Sequence, residues 1–317
     1  MHLKHPRIRK IALVVALGAL AAAAWTPLIS AIHRYQIQSV LNEKLAGRFV
    51  VLRMPSRALR RVNDVYVYTP PGYKTSGRRY RVIYLLHGCP GQGTDWFVKG
   101  RAHETAERLI LQKKIDPVIL VSFDAFGRGG PKDCADFLNS ALGGVMAEDY
   151  VASELPRYID AKFRTIRSPD SRALVGLSSG GYGAVNVGTK HQDVFHIIAS
   201  HSGYFDPILD RKHIEGMLGP RGPLWDANDP HKQVAKWRDP SLRIYMDCGQ
   251  SDDLLPDNEA LDRELTASHV SHVFRTEPGA HHWRIWRARL PISLAYCDAA
   301  FRELAAESDG QRKRLSK

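Results

Sequence analysis

Arg172-Ala-Leu-Val-Gly176-Leu-Ser178-Ser-Gly180-Gly181-Tyr-Gly183 is the stretch that decides how this chain is read. Its first half is apolar and predicts a buried strand. Its second half opens a helix that carries Ala184, Val185 and Val187 towards Lys190. A serine sits between the two, among small residues. In that context a sharp strand-to-helix turn exposes the Ser178 hydroxyl, and Gly176 and Gly180 leave room for backbone to pass close by. The helix N-terminus adds partial positive charge beside the serine. Ser179 is the alternative nucleophile, disfavoured because the flanking glycines centre on Ser178.

On both sides of this turn, short β-rich runs alternate with helical stretches. This predicts an α/β fold, a mainly parallel twisted sheet with helices on both faces, in a single domain. Val62–Tyr68 alternates as a half-exposed strand, whereas Val82–Leu86 and Val118–Phe123 are continuous apolar runs of the kind parallel strands show. Glu148–Phe163 has helical spacing despite Pro156. Ile197–Ser200, Leu242–Met246 and Val270–Thr276 predict further strands, Asn258–Leu265 a helix, and a last helix follows Trp283. The segment from Asp206 to Trp237 has no clear period and reads as an excursion over the sheet.

A serine hydroxyl needs a base to take its proton and a carboxylate to orient that base. Acids occur after the strand at Leu242–Met246, in Asp247-Cys-Gly249-Gln-Ser-Asp252-Asp253. Histidines follow the last strand, in Glu277-Pro-Gly279-Ala-His281-His282-Trp283. Asp252 or Asp253, with Asp257 and Asp262 as helix decoration, and His281 or His282 remain open on this reading. An oxyanion formed at Ser178 needs preoriented donors. The candidates are the backbone N–H of Ser179 and that of Cys89, in the turn His87-Gly88-Cys89-Pro90-Gly91, where Pro90 has none to give. Gly91-Gln-Gly93 lacks the context of a dinucleotide loop. Trp96 and Tyr182 are the candidate substrate-binding side chains.

The 317 residues carry a formal charge of +12, with 44% hydrophobic and 25% charged residues, a globular balance that excludes wholesale disorder. Much of the excess is at the ends. Lys4, Arg7, Arg9 and Lys10 precede an uncharged run from Ile11 to Trp25, and Arg312, Lys313, Arg314 and Lys317 lie in a polar tail. Neither cluster is interleaved with aromatics, so attraction to an anionic surface is favoured over nucleic-acid binding. Residues 1–32 read as a signal peptide, cleavable after Ala24, or as an N-terminal signal-anchor through residues 11–32; either exports the domain. Residues 33–48 are expected to connect, 49–303 to form the catalytic domain, and 304–317 to be a disordered basic tail. Cys89, Cys134, Cys248 and Cys297 have no metal or redox spacing, and their pairing is open.

With these residues assembled, the chain resembles the esterase family that includes esterase D, feruloyl esterases, enterochelin-esterase-like enzymes and mycolyltransferases. The resemblance rests on Tyr84-Leu-Leu-His87-Gly88, Glu148-Asp-Tyr150-Val with Glu154-Leu, Phe163-Arg-Thr165, Gly176-Leu-Ser-Ser-Gly-Gly181-Tyr-Gly-Ala184, His201-Ser-Gly203-Tyr-Phe205-Asp and Pro278-Gly-Ala-His281-His-Trp283. It covers about Phe49 to Phe301. It implies the α/β-hydrolase fold, Ser178 as nucleophile, Asp252 as the acid and His281 as the base, with no cofactor and no metal. Members often carry Met after the nucleophile and Asp after the histidine, where this chain has Ser179 and His282. Cys89 is also unusual at its position.

The expectation is therefore an exported serine esterase acting on a small-molecule or cell-envelope ester through an acyl-enzyme. An envelope acyltransferase passing the acyl group to a sugar hydroxyl is the alternative within catalysis. A catalytically inactive wall- or surface-binding module is the alternative outside it.

Overall fold

A computed structural model describes residues 32, 35–40, 42–126, 130 and 135–315, with side chains to 310. The apolar run at 11–25, the cleavage site at Ala24 and Cys134 lie outside the described residues. Residues 35–40 are helical, and a separate compact unit begins at Leu45.

That unit is built on one eight-stranded sheet: β1 (Arg48–Ser56), β2 (Arg61–Thr69), β3 (Arg81–Leu86), β4 (Val118–Phe123), β5 (Arg172–Leu177), β6 (Ile197–His201), β7 (Arg243–Gly249) and β8 (His272–Glu277). Their spatial order is β1-β2-β4-β3-β5-β6-β7-β8. The first two strands form a hairpin that adds antiparallel to β4, and all other neighbours are parallel. Strands β4 to β7 are buried at every position, and in β4 this explains the unbroken apolar run. The longer helices are α1 (Ala102–Leu111), α2 (Leu155–Lys162), α3 (Ser179–Lys190), α4 (Arg211–Leu218), α5 (Leu255–Ala267) and α6 (Trp283–Leu315).

Side-chain alternation gives the sheet two apolar faces. Val82, Tyr84 and Leu86 join the main core with Ala184, Val185 and Val187 of α3, while α6 packs with α1 and against β6 and β7. The connection from β3 runs outward to β4, and the chain then crosses back so that β5 lies on the other side of β3. Ligand sites in open α/β sheets form at such a reversal, beyond the carboxyl ends of the strands. Here those ends are Leu86 of β3 and Gly176 of β5, which pair in register.

Two features extend the expectations and one corrects them. First, β1 is not among the expected strands; all of it but Arg48 lies within the expected domain, and its partner is the hairpin strand β2, a pairing that local periodicity does not announce. Second, the segment around Pro156 is a composite in which a π-helical stretch, Tyr150–Glu154, leads into α2. Pro156 falls at the start of α2, where its missing N–H costs little. Third, the tail from residue 304 is helical to Leu315, not disordered. Leu304 is buried, Glu303 and Glu307 both pair with Arg243, and Ser308 donates to Asp170.

Candidate active site

The turn between β5 and α3 requires its glycines. A Cβ at Gly176 would lie 1.8 Å from the Gly180 carbonyl oxygen, and one at Gly180 would lie 2.2 Å from that of Leu86. Both distances are far inside van der Waals contact, so only glycine lets β5, the start of α3 and the end of β3 meet here. Ser178, between them, has φ 54° and ψ −125°. A non-glycine residue held there costs on the order of 1–3 kcal/mol, offset by the surrounding fold. The strained backbone leaves the Ser178 side chain partly exposed while Ser179 beside it is buried.

Two loops beyond β7 and β8 bring Asp252 and His281 to this serine. They interlock by backbone: the Gln250 amide donates to Glu277 and the Ser251 amide to Gly279 at 2.8 Å. A Cβ at Gly249 would stand 2.3 Å from the Gly279 carbonyl oxygen, so that contact also demands glycine. The result is a continuous hydrogen-bonded line. Ser178 Oγ lies 2.9 Å from His281 Nε2, and His281 Nδ1 lies 3.0 Å from Asp252 Oδ2 and 3.2 Å from Oδ1. An ionised carboxylate only accepts, so Nδ1 carries the proton and Nε2 is the acceptor facing the hydroxyl. Burial alone would raise the Asp252 pKa. The hydrogen bonds from His281 and the Leu254 amide outweigh it and hold the group below its ordinary value. The imidazole stands edge-on to Trp286, with centroids 4.9 Å apart, and the Trp286 indole donates to Ser202.

The members of each open pair differ in position. Asp253 is exposed and makes no contact with an imidazole, whereas Asp252 is buried beside one. His282 Nδ1 is buried with no hydrogen-bond partner among the described residues. Asp257 accepts from the Phe205 amide and from His231, and Asp262 pairs with His272, both away from the serine.

The turn after β3 abuts the nucleophile: a Cβ on Gly88 would be 3.1 Å from that of Ser178. Cys89 and Ser179 line the same small cavity of about 10 Å³. The Ser179 amide starts α3, where the helix dipole favours negative charge. Cys89 is disulfide-bonded, and Cys248 and Cys297 are buried free thiols.

The two substrate candidates are corrected. Trp96 is fully buried, its indole N–H donating to Leu86 O at 2.9 Å. Tyr182 is fully buried too, donating to Asn228 O and stacked on Tyr204. Neither offers a face to a ligand. Trp225, Trp237 and Trp286 are also buried, while Trp283 is half-exposed.

Two features escaped sequence reasoning. Ser179 Oγ donates to Asp136 at 2.6 Å inside the protein, and Asp136 lies in a loop with no motif to mark it. Burial, reinforced by nearby Asp210 and opposed by the Ser179 hydrogen bond, pushes Asp136 up to about 6. Asp136, Asp210 and His213 bring possible ligand atoms within 4.8 Å of one another and could hold a cation, although His213 Nδ1 already engages Asp210. The second feature is a buried copy of the serine–histidine–acid pattern. His201 Nδ1 lies 2.8 Å from Asp247 Oδ2 and its Nε2 lies 3.0 Å from Ser293 Oγ, with none of the three reachable by solvent.

The family model described as Putative esterase matches residues 56–297. An esterase of Mycobacterium tuberculosis is 28% identical over 258 residues, covering 72% of this chain and 54% of the relative. The S-formylglutathione hydrolase of Rattus norvegicus is 29% identical over 263 residues, covering 76% and 89%. The chain thus spans about half the length of some curated relatives it matches. Among solved structures, an S-formylglutathione hydrolase from Agrobacterium tumefaciens superimposes with a TM-score of 0.72 at 20% identity, covering 82% of this chain and 98% of the other. This likeness shows the fold, that of α/β-hydrolases.

Proposed function

The chain belongs to the Putative esterase family, and from that premise we propose that it is a serine esterase whose nucleophile, base and acid are Ser178, His281 and Asp252. The observation that carries this reading is the line from Ser178 Oγ through His281 to Asp252, at 2.9 and 3.0 Å. In the first step Ser178 Oγ bonds to the acyl carbon while its proton passes to His281 Nε2. The carbonyl oxygen takes up the negative charge, facing the amides of Ser179 and Cys89. On collapse the bond to the leaving alcohol breaks, and His281 returns the proton to that alcohol. Water, deprotonated by the same imidazole, then releases the acid from Ser178. Asp252 holds the imidazole in the tautomer this needs and stabilises its charged form.

Export is part of the proposal. The basic start and the uncharged run from Ile11 to Trp25 support it, and so does the disulfide at Cys89, which suits an oxidising compartment. The test is hydrolysis of a p-nitrophenyl ester by the wild type and by Ser178→Ala, together with fluorophosphonate labelling. Undiminished turnover or labelling in the variant would remove Ser178 from the reaction.

A further inference from the structure

A groove of about 790 Å³ lies between α1, with the residues just before it, and the start of α6, within the size range of ligand sites. Lys99, Arg101, Arg108, Arg284 and Arg287 line it, against a single carboxylate, Glu104. Glu104 pairs with Arg101, and Lys99 pairs with Asp95 at 3.0 Å. Arg108, Arg284 and Arg287 have no ion-pair partner among the described residues. Arg284 and Arg287 stand three apart on α6, where like charges on neighbouring turns repel. The groove therefore concentrates positive charge that no carboxylate among the described residues pairs at Arg108, Arg284 and Arg287. Trp283 and Arg284, the first residues of α6, line the groove, so the positive dipole end of a helix of 33 residues lies at its edge.

The groove's position ties it to the reaction. Trp283, which forms its wall, is two residues beyond His281 and packs edge-on to Trp286, with centroids 5.5 Å apart; Trp286 in turn packs on the His281 ring. In the proposed reaction His281 Nε2 hands the proton to the departing alcohol, and the groove wall at Trp283 stands two packed rings from that imidazole. Guanidinium groups match the oxygens of a phosphate in geometry and charge, and several together suit a dianion better than a single carboxylate.

We propose that this groove binds a phosphate carried on the alcohol part of the substrate ester. The substrate class is then a phosphorylated alcohol acylated at a hydroxyl a short distance from its phosphate. The inference rests on the serine-esterase reading above.

The test compares acetyl esters of glycerol and of glycerol 3-phosphate, with p-nitrophenyl acetate reporting serine chemistry independently. The expected result is a kcat/KM for the phosphorylated ester about tenfold above that for the neutral one, decreasing with added salt. In the double variant Arg284→Ala/Arg287→Ala the ratio should approach one. Equal values in the wild type, or a ratio unchanged in the variant, would overturn the proposal. Absence of all three activities would instead reject the esterase reading, so binding is measured separately by calorimetry on Ser178→Ala. Glycerol 3-phosphate should bind more tightly than both glycerol and inorganic phosphate, and should do so less after the arginines are removed. Binding no tighter than glycerol overturns the site, and inorganic phosphate binding equally well overturns its assignment to the substrate alcohol.

Discussion

The Ser179 hydroxyl donates to a carboxylate oxygen of Asp136 at 2.6 Å, one residue from the nucleophile, and the other oxygen of that buried carboxylate has no hydrogen-bond partner among the described residues. Asp136 thus holds the side chain of the residue whose backbone faces the proposed oxyanion, at the expense of burying an acid. Its pKa, about 6 in the fold, lies above the ordinary value of 3.8. Between these two values the folded protein binds more protons at this site than the unfolded chain does, so stability falls as pH rises through that window. Below about 4 the contribution is fully present, and above about 6 it is lost. Asp136→Asn cannot ionise and keeps an acceptor for Ser179. Its melting temperature relative to wild type should therefore rise between pH 4 and pH 7. Parallel melting curves for the two proteins across that range would show that Asp136 does not titrate as described.

Asp252 supplies the opposite sign. Its folded pKa is held below the ordinary value, so its contribution to stability is present above about pH 4 and is lost as pH falls through the folded value. In catalysis, Asp252→Asn permits the wrong imidazole tautomer and should lower kcat by on the order of a thousandfold or more. Asp253→Asn, one residue away and exposed, should leave kcat within about twofold. Steady-state kinetics of the two variants at neutral pH separates them, and a comparable loss in both would undo the choice of acid.

The central strands, the tight turn at Ser178 and the placing of Asp252 and His281 in the loops after β7 and β8 were legible because each has a local cause. Continuous apolar runs mark strands buried on both faces, and glycines mark backbone that passes too close for a Cβ. What was not legible depends on residues far apart in sequence. Strand β1 exists because Arg48–Ser56 pairs with β2, and the tail is ordered because Arg243, on another strand, holds Glu303 and Glu307. The Asp136–Ser179 bond spans 43 positions and leaves no periodicity behind. The burial of Trp96 was not legible for a related reason: the sequence shows an aromatic but not whether its N–H is already satisfied, as that of Trp96 is by Leu86.

The loops that carry His281 and Asp252 meet where Gly249 faces the carbonyl of Gly279, and a methyl group at 2.3 Å cannot be accommodated without parting them. Gly249→Ala should destabilise the protein by about 1–3 kcal/mol. It should also lengthen the bond between His281 and Asp252, since both residues ride on the loops that move. The expected signature is a loss of kcat larger than the loss of folded protein, read by activity per molecule that remains folded in thermal melts. A variant with reduced stability but unchanged kcat would show that the glycine contact serves packing alone.

Ser293, His201 and Asp247 reproduce the spacing of a catalytic set but sit where no substrate can reach. His201 and Asp247 pair in register across β6 and β7, and Tyr245 and Arg289 also bond to the carboxylate. A buried acid surrounded by donors is a structural network, costly to interrupt because removing one partner leaves a desolvated charge with too few bonds. His201→Ala should therefore cost about 3–5 kcal/mol of stability, measured by denaturant unfolding. Ser293→Ala should still be labelled by a fluorophosphonate as the wild type is, because Ser178 is the serine with access to solvent. Loss of labelling in folded Ser293→Ala would mean that the interior set, and not the one at the sheet edge, carries the reaction.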